Sequence, residues 1–160
     1  MPTAAQLTGA SSPLRINGRE FKARTLTDRD YVELDEYIQH KLLEKEKILI
    51  DKMNLSSADR MEMTQAALKN AAVASWATNE GAKIMGTIEG TARLGYQMVA
   101  ARHSQLSFEE FYEHMNKSND LLGLAIREIN DVFMKLNTTP EEDSGNSEED
   151  SQEKDKSAEE

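Results

Sequence analysis

The chain has 160 residues, 38% hydrophobic and 30% charged, which is enough apolar material for one modest core. Its formal net charge of −10 is unevenly placed: Pro140 to Glu160 holds ten acids against two lysines, a net of −8, leaving residues 1–139 with 19 acids, 17 bases and a net of −2. A near-neutral body beside an acidic run offers no Lys/Arg-rich surface for phosphates, and the lack of cysteine removes disulfides, thiolate metal sites and cysteine nucleophiles.

Partners are therefore expected to be proteins, not nucleic acid and not an anionic membrane surface. Met1 to Ser12 has neither a basic nor an apolar stretch of the secretory type, and no apolar run reaches the roughly 18 to 20 residues of a membrane span. The expected compartment is the cytoplasm.

Residues 1–13, rich in Ala, Thr, Ser and Gly, read as a flexible arm. Leu14 to Thr25 alternates apolar and polar residues around Asn17-Gly18, a dipeptide suited to a two-residue type I′ turn, and predicts a β-hairpin. Such a hairpin is marginal alone, so Leu14, Ile16 and Phe21 should pack on a helix. Thr27 with Asp30 marks a helix start. From there Tyr31, Leu34, Ile38, Leu42, Leu49 and Met53 recur at helical spacings and predict one long amphipathic helix to about Met53.

Ser56 with Asp59 repeats the start signal, and Met61, Leu68, Ala72 and Trp76 predict the buried stripe of a second helix. Alanines 66, 67, 71, 72, 74 and 77 would let a neighbouring helix come close. The segment from Ala82 to Arg102 carries Met85, Ile88, Ala92, Tyr96 and Val99 on one face but also Gly86, Gly90 and Gly95. Either the helix breaks near Gly86 with Thr87 as a new cap, which is the preferred reading, or the glycines admit close packing. Ser107 and Glu110 form a capping box ahead of a short helix, Phe108 to Met115. The last helix, Asn119 to Leu136, has the cleanest stripe: Leu122, Ala125, Ile129, Val132 and Leu136, widened by Ile126 and Phe133. It is expected to be the central core helix. Residues 138–160 contain no large apolar side chain and read as a disordered acidic tail, so the folded domain should span 14–137. The fold class is mainly α, with an N-terminal hairpin.

No constellation of catalytic residues emerges. His40 and His114 each follow a glutamate by four residues, but no second histidine completes a zinc-protease pattern, and the glycines match neither a P-loop nor a dinucleotide fingerprint. The histidines read as partly exposed helix residues. The expectation is a protein without catalytic, metal or cofactor residues. The eight methionines are the unusual feature. They are either ordinary core filler or part of a surface that re-packs around varied helices. On the second reading the partner-binding residues would be Met61, Met63, Met85 and Met98, with Trp76 and Tyr96 as anchors, although single aromatics on helical stripes are more often core.

The order of parts resembles the tail assembly chaperones of long-tailed bacteriophages. The resemblance lies in the hairpin from Leu14 to Thr27 (Leu-Arg-Ile-Asn-Gly-Arg-Glu-Phe-Lys-Ala-Arg-Thr-Leu-Thr), the Thr27-Asp-Arg-Asp30 start of a long charged helix, and Leu94-Gly-Tyr-Gln-Met-Val-Ala-Ala-Arg-His-Ser104 leading to Leu106-Ser-Phe-Glu-Glu-Phe111. It covers roughly Leu14 to Leu136, and Gln105 stands where that linker commonly has proline. The resemblance implies a protein of the host-cell cytoplasm that binds the long, aggregation-prone tape-measure protein. It would keep that client soluble and promote assembly of tail-tube protein around it, without cofactor or hydrolysis; a homo-oligomer is compatible with this role. The alternatives are a phage scaffolding or head–tail adaptor protein and an acidic decoy for a DNA-binding enzyme. The near-neutral body disfavours the decoy.

Overall fold

The computed structural model describes residues 11–137, so residues 1–10 of the flexible arm expected over 1–13 and the tail expected over 138–160 lie outside the described residues. The chain is mainly helical, with one antiparallel hairpin followed by six helices among the described residues.

Strands β1 (Ser11–Ile16) and β2 (Arg19–Arg24) pair Leu14 with Phe21 and Ile16 with Arg19. Asn17 and Gly18 both have positive φ, 48° and 80°, as the type I′ turn requires. The hairpin starts earlier than its apolar alternation suggests: Ser11 to Pro13 is already strand, paired with Arg24 to Lys22, and does not belong to an N-terminal arm. Ser12 is buried although polar, so hydrophobic pattern alone misses it. Leu14, Ile16, Phe21 and Ala23 face inward and are almost wholly buried.

Helix α1 (Asp28–Lys52) starts at a tight lock. The Asp30 carboxylate accepts from the Thr27 N–H at 2.6 Å and the Thr27 hydroxyl at 2.7 Å. It also accepts from both terminal guanidinium nitrogens of Arg24, Nη1 and Nη2, at 2.6 and 3.0 Å. Burial pushes this carboxyl up, but the Arg24 and Thr27 hydrogen bonds outweigh it and hold the group below the usual aspartate range.

Helix α2 (Ser57–Ala72) is capped by the Ser56 hydroxyl, and α3 (Asn79–Met85) by that of Thr78. The chain then breaks at Gly86, and the Thr87 hydroxyl accepts from the Gly90 N–H at 3.0 Å to open α4 (Ile88–Ala100), as the break reading expects. Close packing occurs as well: a Cβ at Gly95 would lie 2.9 Å from the Ile129 side chain. Helix α5 (Phe108–Met115) has the expected capping box, with Ser107 N–H to Glu110 at 2.9 Å and Glu110 N–H to Ser107 at 3.1 Å. Helix α6 (Asn119–Asn137) buries Ala125, Ile129, Val132 and Leu136 and packs on β1, α4 and α5, which makes it central.

The core gathers the inner face of the hairpin, α4, α5, α6 and only the first half of α1, through Leu34 and Ile38. This corrects two expectations. On α1 the stripe fails distally: Leu49 and Met53 are 44% and 46% exposed, while Ile50 is buried. Beyond the body the helix packs against α2, which lies on a different side of it. On α2 the predicted stripe is the exposed one, with Met61 at 65% and Leu68 at 52%; Ala67 and Ala71 are buried instead. Trp76 lies beyond the end of α2, at the base of the hairpin, where its ring is 6.1 Å from Tyr31 and 5.5 Å from Phe133.

Candidate functional site

The distal half of α1 and all of α2 form a helical hairpin that projects from the core. Its seam is sealed by Ile50, Ala67 and Ala71, and the two alanines let the backbones approach as the alanine cluster predicts. Asp51 and Arg60 pair at 2.8 Å near the tip, both half exposed, so the pair contributes at most about 1 kcal/mol. The base is fastened more firmly. Gln39 donates to the Ala74 carbonyl at 3.1 Å, and Asp35 accepts from the Trp76 N–H at 2.6 Å.

A groove runs along each side of the seam. One, of about 320 Å³, has Leu43, Ile50, Ala67 and Leu68 in its floor and Lys47, Asp51 and Arg60 at its rim. The other, of about 350 Å³, lies over Leu42, Ala71, Val73 and Ala74. Leu68 and Val73 line them, and Ile48, Leu49, Met53 and Met61 are exposed elsewhere on the same helical hairpin. These are six of the eleven exposed large hydrophobic residues among those described, and they fall within 26 consecutive residues. Such clustering concentrates exposed apolar side chains on one helical hairpin, where most surfaces scatter them singly.

Of the six predicted contact residues, only two lie on this hairpin. Met61 is exposed on its outer face and Met63 is half-buried on another flank. Met85 and Met98 are 8% and 0% exposed, core residues that no partner reaches without unfolding. Tyr96 is half-buried, its hydroxyl donating to the Leu106 carbonyl at 3.1 Å and its ring edge-on to Phe108. Trp76 supports the base of the hairpin. The structure does not bring these six together, and it puts Ile48, Leu49, Met53, Leu68 and Val73 on the surface in their place.

A larger cavity, about 580 Å³, lies elsewhere, between the hairpin turn and α5, and is lined by Arg19, Arg102, His103, His114 and Lys117 with Glu110 and Glu113. Its histidines are committed to the fold. His103 Nε2 accepts from the Lys22 N–H at 3.0 Å, so its proton sits on Nδ1, and His114 Nε2 donates to the Ile16 carbonyl at 2.9 Å. Their rings stand edge-on to Phe21 at 5.6 and 6.0 Å. His103 thus occupies the turn after α4 and not a helix surface, and the pair fastens the β-hairpin to the body. Local spacing carries no signal for this, because the contact joins residues more than 80 positions apart.

Among the described residues no group of three or more His, Cys, Asp and Glu side chains is placed to hold a metal ion, and no helix is long and apolar enough to cross a membrane. No family model matches the chain, and neither a curated protein nor a solved structure matches it.

Proposed function

We propose that the chain is a non-enzymatic binding protein of the tail assembly chaperone kind. Its helical hairpin takes up apolar helical faces of the tape-measure protein, keeps that client soluble and hands it to assembling tail-tube protein. The observation that supports this reading is the concentration of exposed apolar side chains on the helical hairpin, with Leu68 and Val73 at its grooves. Two grooves with apolar floors and charged rims suit the docking of an amphipathic helix, whose anchors recur at three- and four-residue spacing.

Each Leu or Met side chain fully buried on docking contributes about 1.5 to 3 kcal/mol, and flexible Met61 and Met53 tolerate anchors of different shape. The rim mixes Lys47 and Arg60 with Asp51, so charge adds little selectivity. That suits a client with many similar helical turns. The ten acids after Pro140 would keep loaded complexes apart by repulsion.

The test is co-expression with the tape-measure protein of the same genome, reading client solubility and co-purification. The parent chain should keep the client soluble, and Met61→Gln with Leu68→Gln should lose it while remaining helical. An insoluble client beside the parent chain, with the chain itself found in finished particles, would favour a scaffolding or head–tail adaptor role.

A further inference from the structure

We infer that α2 is also a self-association surface on which a second copy of this chain docks, antiparallel and two-fold symmetric. Met61 and Leu68 stand seven residues apart on α2, the spacing of a helix–helix seam, and both are more than half exposed. One flank of that stripe carries Glu62 and Lys69, again seven apart and both exposed. Neither has an ion-pair partner among the described residues, whereas the neighbouring Arg60 is engaged by Asp51.

A two-fold interface must be self-complementary, because every contact occurs twice with the roles exchanged. This surface meets that condition in one orientation. An antiparallel pairing centred between Thr64 and Gln65 sets Met61 of one copy beside Leu68 of the second. It also brings Glu62 within a turn of the second copy's Lys69, and symmetry repeats both contacts. A parallel pairing in register would put the Glu62 and Lys69 flanks of the two copies on opposite sides of the seam, where neither charge meets its complement. The charge pattern therefore selects both the occupant and its direction, and it does so independently of any client. Because Leu68 also lines the seam groove, a docked copy shields that groove and excludes a client helix from it.

Sedimentation velocity of the full chain over a concentration series tests this. The mass should rise from one chain to two, and Leu68→Glu should hold it at one. Glu62→Lys and Lys69→Glu should each weaken association roughly tenfold, since each removes two attractions and creates two repulsions. The double swap should restore it, with circular dichroism unchanged throughout. The charge swaps decide the matter even if Leu68→Glu disturbs folding. A single-chain mass at every concentration, association that survives Leu68→Glu, single swaps without effect, or a double swap no tighter than the singles would each overturn the inference.

Discussion

The body and the helical hairpin are built from the same amphipathic pattern, yet one covers its stripe and the other leaves it open. On α6, Ala125, Ile129, Val132 and Leu136 meet the β-hairpin, α4 and α5. On α2, Met61 and Leu68 are as regularly spaced and stay more than half exposed, while Ala67 and Ala71 on an adjoining face are the residues it buries. Periodicity thus identifies a surface that wants a partner. Whether the partner is the rest of the chain or another molecule is decided by the tertiary structure.

The largest expected effect of breaking this comparison is in the body. Ile129→Ala should cost about 2 to 5 kcal/mol in a urea titration, because Ile129 is fully buried and packs across Gly95, where the tight approach leaves little room to collapse. A smaller loss, about 1 to 3 kcal/mol, is expected for Asp30→Asn, which removes one charge of a largely buried pair and half of the helix cap. This one depends on pH. The folded Asp30 titrates below its unfolded value near 3.9, so the contribution of the lock is fully present above that pH and is lost as pH falls through it toward the folded value. Acid titrations of the parent and Asp30→Asn should therefore converge below about pH 4, and curves that stay parallel would mean the Arg24 lock is not what stabilises the start of α1. The smallest effect belongs to the open stripe: Leu68→Gln should change stability by no more than about 0.5 kcal/mol. A loss as large as that of Ile129→Ala would show that the stripe is covered.

Signals confined to a few neighbouring residues were legible in the sequence. Asn17-Gly18 specified its turn, Ser107 with Glu110 specified a capping box, Thr87 marked the restart after Gly86, and the stripe of α6 named its buried residues. What depends on distant parts was not. The stripe of α1 extrapolates to Leu49 and Met53 because local pattern does not reveal where the body ends. Helix length does not reveal it either: 25 residues extend about 37 Å, close to the full diameter of a body whose radius of gyration is about 13 Å for 100 residues. Alanine is equally at home inside and outside, so the choice of Ala67 and Ala71 over Met61 and Leu68 as the seam was invisible locally. The same holds for His103 and His114, whose partners lie on a hairpin far away in sequence.

If the proposed function holds, the helical hairpin is the part of the molecule that a client covers. Amide hydrogen exchange of the full chain, alone and co-purified with the tape-measure protein, measures this directly. Alone, amides of 43–73 should exchange well before those of α4 and α6, because only Ile50, Ala67 and Ala71 close the seam. With client bound, protection should rise across 43–73 and stay unchanged in the body. Protection that rises in the body while 43–73 continues to exchange freely would contradict the account.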